Sequence, residues 1–360
     1  MSVHHGGTDA GPLPRLDLST NASPYGPSPI AHAAMQVHVG PYPDPAATTV
    51  RATLAEAIGV DPAEIVVGAG ATELIDRLVR VLDGPVLVQD PSFGEYAGAA
   101  NRHALPVLRA TSTDALLAAM ADAAVLFVAS PGNPDGVIRD ATFCAAVADR
   151  ALATGTTVVW DLAYAPMVPE DVGVPDGAVQ LHAPNKAHGC TGLRAGWLTA
   201  PAELAQRLHA AAVTWSVSTP GLALLAGSVT PDAQRWAAAR AVDARRDRDA
   251  LIAGLRACGL TVTHGAAPFA LFDLGSDAAA ASFVQVVRAR HGVKLRPTAS
   301  QGLPGHVRIA APTPDSLPLA LHAIADSLAQ PDSLAKRSSV RRSKAQLQSG
   351  HTRLDQEAKT

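Results

Sequence analysis

The sequence predicts an α/β fold: a mostly parallel sheet with helices on both faces, followed by a smaller α+β domain. Three observations predict it. Short apolar runs alternate with helical stretches through the first two thirds of the 360 residues. Turn-forming clusters of Pro, Gly, Asn and Asp follow the apolar runs. Apolar residues make up 48% of the chain and charged residues 17%, enough apolar content for a large core. Strands that alternate with helices and read as continuous apolar runs belong to a parallel sheet covered on both faces.

The elements follow in order. Ile65 to Val67 is a short apolar run, then come Gly68-Ala69-Gly70-Ala71-Thr72 and a helical pattern from Glu73 to Leu82. Pro85 to Val88 reads as a strand, Asp90-Pro91-Ser92 as a turn, and the stretch near Gly94 to Ala100 as a helix. Val125 to Ala129 reads as a buried strand, followed by the loop from Ser130 to Gly136. Ala141 to Thr154 is helical, and Thr157 to Trp160 is a strand ending at Asp161. Ligands bind outside the carboxyl ends of such strands, where all these loops fall. The uncharged stretch from Ala210 to Pro231 holds Ser216, Ser218, Thr219 and a Pro220-Gly221 break. Those groups are costly in lipid, so it reads as a buried turn leading into a core helix. Pro231 to Gly259 reads as one long charged helix. Short strands follow at Leu260 to Thr263 and Phe269 to Asp273, then a helix near Ala278 to His291 and an extended piece at Val293 to Arg296. A strand at Val307 to Ala310 and a helix near Asp315 to Leu328 complete the pattern. The expected organisation is an N-terminal arm (1–29), a large domain (30–235), a small C-terminal domain (236–330) and a disordered tail (331–360) rich in Lys, Arg, Ser and Gln.

Lys plus Arg is 29 and Asp plus Glu is 32, a net charge of −3. No overall positive field points to nucleic acid or an anionic membrane. The three cysteines, Cys144, Cys190 and Cys258, form no disulfide framework or metal pair, which fits a reducing cytoplasm. No apolar run at the N-terminus reads as a signal peptide. No His/Asp/Glu cluster has metal-ligand spacing, so no metal is expected, and there is no Gly-x-Ser-x-Gly elbow.

The glycine loop has two readings. Backbone N–H groups at a helix start cradle phosphate. Asp90, 20 residues past Gly70 at the end of the next strand, invites a dinucleotide reading. Glu73 stands where that motif needs its third glycine. A tight turn alone is the structural alternative.

Five features occur in one order: the glycine turn, Pro91-Ser92-Phe93, Pro131-Gly132-Asn133-Pro134, Asp161-Leu162-Ala163-Tyr164, and Asn185-Lys186 with Arg194 eight residues on. In this the sequence resembles the fold-type I pyridoxal-phosphate enzymes, and within the class I/II aminotransferases the histidinol-phosphate aminotransferase branch. The resemblance runs from about Asp17 to Leu328 and implies an aspartate aminotransferase-like large domain. It implies Lys186 as the Schiff-base lysine and Asp161 as partner of the pyridine nitrogen. Tyr164 and Asn133 would bond the ring's phenolic oxygen, and Phe93 would stack on the ring, with an ordinary core phenylalanine as its alternative. The phosphate would lie against Gly70, Ala71 and Thr72 and pair with Arg194. Tyr42 would reach the cofactor phosphate of a neighbouring subunit, making a homodimer with a shared active site. Arg308 would grip a substrate carboxylate or equivalent anion, and Arg296 a substrate phosphate, with a surface arginine as its alternative. Tyr25 and Asn21 resemble an arm closing over the substrate.

The chain departs from that pattern just before the lysine. Ala183 and Asn185 stand where relatives usually carry hydroxyl residues, so one or two phosphate hydrogen bonds are missing or replaced. Each is worth about 1 kcal/mol net. His188 and Cys190 follow the lysine and read as packing residues. The implied function is a cytoplasmic, pyridoxal-phosphate-dependent aminotransferase. It would move an amino group between an amino acid or amino phosphate and a 2-oxo acid in a ping-pong cycle. The alternative on the same motifs is a threonine-phosphate decarboxylase of cobalamin synthesis. A cofactor-binding protein without turnover is a distant third, against which the intact Lys186, Asp161, Tyr164 and Arg194 argue. A nicotinamide dehydrogenase depends on the glycine turn and Asp90 alone.

Overall fold

The computed structural model describes residues 6–329, so the expected tail lies outside the described residues. The chain begins with β1 (Leu16–Asp17), α1 (Pro29–Met35) and α2 (Thr48–Ile58). The alternating part follows: β2 (Ile65–Gly68), α3 (Ala71–Leu82), β3 (Val86–Gln89), α4 (Glu95–Arg102), β4 (Val107–Ala110), α5 (Thr113–Ala119), β5 (Val125–Ala129), α6 (Ala141–Thr154) and β6 (Thr157–Asp161). Next come β7 (Val179–His182), α7 (Pro184–Ala187), β8 (Gly196–Thr199), α8 (Ala202–Ala210) and α9 (Thr219–Ser228). The long α10 (Pro231–Ala257) leads to β9 (Val262–His264), β10 (Phe269–Asp273), α11 (Asp277–His291), β11 (Val293–Lys294), β12 (Arg296–Pro297), β13 (His306–Ala310) and α12 (Leu317–Leu328).

Local chemistry sets these boundaries. The Asp140 carboxylate accepts the Phe143 N–H at 2.8 Å to start α6, and Gly155, at φ +73°, stops it. Thr230 caps α10, with Pro231 at its first position. On α3, Leu74, Ile75, Leu78 and Val79 are buried, and Glu73 holds Arg77 one turn on.

Seven strands form the main sheet in the order β2-β8-β7-β6-β5-β3-β4. Only β8 runs against its neighbours, pairing antiparallel with both β7 and β2. The strand β2 therefore points the same way as β3, β5 and β6, and their carboxyl ends open on one edge. Two separate clusters cover the sheet's two faces. Val66, Val88, Phe127 and Leu198 lie in one, and Leu87, Leu126, Val158 and Trp160 in the other. The uncharged stretch before α10 is a turn followed by α9, whose Leu224 and Leu225 are buried. Among the described residues, no helix is long and apolar enough to cross a membrane.

A second sheet, β12-β13-β10-β9, is antiparallel. One cluster joins it to α10, α11 and α12 through Leu251, Phe272, Phe283, Ile309 and Ile324. The expected extended piece at Val293 to Arg296 splits in two: β11 pairs with β1, while β12 joins the second sheet. Its two halves serve different partners, which periodicity does not register. The β1–β11 pair draws the chain start onto the second sheet, where Leu18 enters the same cluster.

Candidate active site

A cavity of about 620 Å³ opens at the carboxyl edge of the main sheet, within the usual range of small-molecule sites. Asp161, the last residue of β6, lies on it and is 6% exposed. Its Oδ2 accepts the Tyr96 hydroxyl at 2.7 Å, and its Oδ1 accepts the Ala163 N–H at 2.9 Å. Burial raises its carboxyl above the ordinary value; Tyr96, Ala163 and the Lys186 charge oppose this without cancelling it. A buried carboxylate lining a cavity, with no cation bonded to it among the described residues, suits a protonated ring nitrogen.

Lys186 sits on the single-turn α7. Its Nζ donates to Tyr164 Oη at 3.1 Å and lies 4.5 Å from that ring's centroid. Asn21 Nδ2 donates to the same oxygen at 3.2 Å. Burial alone would raise the Tyr164 phenol. The charges of Lys186 and Arg308, with the two donors, outweigh burial and hold it below its ordinary value.

The other end of the cavity is built for an anion. Gly70, at φ +98°, turns the chain into α3, which has no side-chain cap. The first amides of a helix have no intrahelical partner, and Ala71 and Thr72 line the cavity there. A Cβ on Gly70 would come 2.7 Å from Arg194 Nη2, so the guanidinium lies across that turn. Arg194 Nη1 donates to Thr191 O at 2.9 Å. Ala183 and Asn185 line the same cavity, and Asn185 Nδ2 donates to Leu193 O at 3.2 Å. A buried carboxylate, a primary amine and an anion cradle in one cavity are the donor set that pyridoxal phosphate requires.

Arg296 and Arg308 face one another across β12 and β13 as register partners, 4% and 5% exposed. Arg308 donates to Asn133 Oδ1 at 2.6 Å and to Ser19 O at 2.8 Å. Gln301 Nε2 donates to the same Asn133 oxygen at 2.8 Å. With its oxygen so engaged, Asn133 has its amide NH₂ left for a ligand. Arg296 reaches Ser300 Oγ at 3.4 Å, and its Nη1 is buried without a partner. Burial, with the charge of Arg308, lowers Arg296 to about 10. Arg308 is lowered by its burial. Among the described residues, no carboxylate pairs with either arginine.

Of the residues singled out from the sequence, Lys186, Asp161, Tyr164, Ala71, Thr72, Phe93, Asn133, Arg194, Arg308, Arg296 and Asn21 all line this cavity, with Gly70 at its edge. Phe93 meets Tyr96 edge-on, ring centroids 5.5 Å apart. Tyr42 lies elsewhere, 79% exposed and stacked on Trp215. Tyr25 is not among the residues lining the cavity. Its hydroxyl is bonded to Asp247, Arg246 Nη2 donates to it at 3.1 Å, and Arg240 covers its ring, so α10 holds it away from the cavity. Burial and Asp247 push its phenol up to about 12. His188 and Cys190 pack as expected, His188 on Trp236 and Ser28, Cys190 among Ala31, Ala34 and Leu224. Asp90 pairs with Arg109 at the surface and does not reach the cavity. Sequence reasoning missed Tyr96, Gln301 and the wall formed by Gly6, Gly7 and Thr8. For that wall the Gly6-Gly7 pair was the available signal, since it permits close backbone approach.

Residues 14–324 match the family described as aminotransferase class I and II. Histidinol-phosphate aminotransferase 2 of Methylococcus capsulatus is 30% identical over 332 residues, covering 84% of this chain and 88% of that protein. The structure of histidinol-phosphate aminotransferase from Sinorhizobium meliloti in complex with pyridoxal-5'-phosphate superposes with a TM-score of 0.76 at 23% identity, over 85% of this chain and 89% of the other. L-threonine-O-3-phosphate decarboxylase from Porphyromonas gingivalis superposes with a TM-score of 0.78 at 24% identity, over 88% and 100%.

Proposed function

We propose, for a chain that belongs to the class I and II aminotransferases, that it moves an amino group between an amino acid or amino phosphate, of the histidinol-phosphate kind, and a 2-oxo acid. It is a pyridoxal-phosphate-dependent transferase. When bound, the cofactor supplies an aldehyde for amine exchange and a ring that draws electrons from the substrate α-carbon.

The chain's own residues supply the rest. The α3 amides and Arg194 bind the phosphate, in charge-assisted bonds. Asp161 holds a proton at the ring nitrogen, and Phe93 offers an aromatic face. Tyr164 orients Lys186 Nζ, which moves the proton at the substrate α-carbon. The observation that carries the substrate reading is the buried pair Arg296 and Arg308, without carboxylate partners among the described residues, in the cavity of Lys186. Buried charges need counter-charges, and a guanidinium fork matches carboxylate or phosphate. Asn133 and Ser19 hold Arg308 in place for that anion.

A second reading is decarboxylation of an amino-acid phosphate such as threonine phosphate. The same arginine pair favours it, since one such molecule brings both a carboxylate and a phosphate. The protein is proposed to work as a cytoplasmic homodimer. Tyr42 and its stacking partner Trp215, 50% exposed, form an aromatic surface suited to a second copy.

The test is direct. The purified holoenzyme is incubated with histidinol phosphate plus 2-oxoglutarate, and separately with threonine phosphate, while cofactor absorbance, glutamate and carbon dioxide are followed. Glutamate formation with reversible cofactor spectra supports the first reading. Carbon dioxide from threonine phosphate without amino transfer moves the assignment to the second. Neither product with either substrate would overturn both.

A further inference from the structure

The wall formed by Gly6, Gly7 and Thr8 stands beside Ser19, Asn21, Arg296 and Arg308. It comes from the start of the chain, where backbone is usually mobile unless tied down. Two backbone bonds anchor it: Gly7 N–H donates to Ser19 Oγ at 3.0 Å, and Lys294 Nζ donates to the Gly7 carbonyl. A Cβ on Gly6 would run into the Ser19 carbonyl, so the strap lies directly against Ser19. The next residues add a charged tie. Asp9 accepts Arg288 Nη1 at 2.6 Å and Nη2 at 2.7 Å, a two-pronged pair. Its Oδ2 also accepts Lys294 Nζ at 2.8 Å, and its Oδ1 accepts the Gly11 N–H at 3.0 Å. Arg288 stands on α11 and Lys294 on β11, two residues before Arg296. Lys294 is 7% exposed, and Asp9 is its only carboxylate among the described residues.

We propose that Asp9 is a positioning residue: its ion pairs with Arg288 and Lys294 clasp the Gly6–Thr8 strap in place as one wall of the substrate cavity. This rests on reading that cavity as the substrate site. One carboxylate sits between two cations that would otherwise repel, one of them buried, and offsets part of their charge. Without it, the buried Lys294 has no carboxylate partner among the described residues, and its bond to Gly7 loses its support. The bonds from Arg288 and Lys294 hold the Asp9 carboxyl well below the ordinary carboxylate range, so the clasp stays charged at neutral pH.

The experiment compares wild-type holoenzyme with Asp9→Asn, Asp9→Glu and Arg288→Gln. Two things are measured: hydrogen exchange of the Gly6–Thr8 peptide without substrate, and kcat and KM for the amino substrate. Asp9→Asn is expected to speed exchange in that peptide about 10-fold or more and to raise KM by roughly 10-fold, with kcat within about twofold, the scale of one charge-assisted bond. Asp9→Glu restores most of both, and Arg288→Gln shifts them in the same direction by less. Unchanged exchange and unchanged KM in Asp9→Asn overturn the proposal. So does faster exchange spread evenly over the chain with a loss of kcat, which marks general destabilisation. If wild type turns over neither candidate substrate, the reading of the cavity fails, and the exchange measurement still decides whether Asp9 holds the strap.

Discussion

In its proposed role Asp161 serves the ring nitrogen only as a carboxylate, and its burial works against that charge. The Tyr96 hydroxyl opposes burial, with a 2.7 Å bond to Oδ2. Tyr96→Phe keeps the stacking on Phe127 but removes a bond to a charged group, worth about 1.5–3 kcal/mol. The Asp161 pKa then rises further. A carboxylate that must be ionised fails as pH drops through its pKa, so a higher pKa moves the acid limb of the kcat/KM profile toward neutral pH. On the acid limb the variant is expected to fall below wild type in kcat/KM by up to about 10- to 100-fold, the gap closing as pH rises. A pH–rate profile parallel to wild type would refute that role. Tyr96 was not legible in the sequence. It sits in a helical stretch whose inward face nothing nearby marks, and Asp161 is 65 residues away. Lys186, Asp161 and Arg194 were legible because their order matched a known pattern, although nothing in that order shows that Asn21 shares the Tyr164 oxygen with Lys186.

At the scale of elements, the turn from β2 into α3 is the proposed seat of the cofactor phosphate. Gly70 meets two demands, a φ of +98° and room for Arg194. Gly70→Ala costs about 1–3 kcal/mol in backbone strain and displaces the guanidinium. The expected result is at least a roughly 10-fold rise in cofactor Kd, by fluorescence titration of the apoenzyme, with a lower Tm. An unchanged Kd would mean that the turn does not hold the phosphate. Helices α3, α6 and α10 could be read from the sequence through their apolar spacing and their cap or proline signals. Strands β4, β7 and β8 escaped notice: each is only four residues long, and β4 carries the exposed Arg109 in its interior. The reversed direction of β8 has no local signature, since strand direction depends on how the chain returns across the sheet.

For the whole molecule, a shared active site makes a sharp prediction. Lys186→Ala lacks the amine, and Tyr42→Ala lacks the tyrosine proposed to reach a neighbouring cofactor. Each variant alone is expected to be inactive or nearly so. Subunits of the two, unfolded and refolded together, are expected to regain activity, because one site of each hybrid then has both residues. Activity assays and sedimentation of the mixture check this, and a mixture that forms hybrid dimers without regaining activity would overturn the shared site. The sequence by itself determined the strand–helix alternation, the glycine turn and the ordered chemical groups through Arg194. These depend on residue type, spacing and near neighbours, which the chain carries locally. Only the tertiary structure decided the convergences. Gln301 meets Asn133 across 168 residues, Arg308 meets Ser19 across 289, and Asp9 meets Arg288 across 279. Tyr25 meets Asp247, 222 residues on. Such pairings follow from which faces the whole core buries and which buried charges must then find partners, and no local window contains that information.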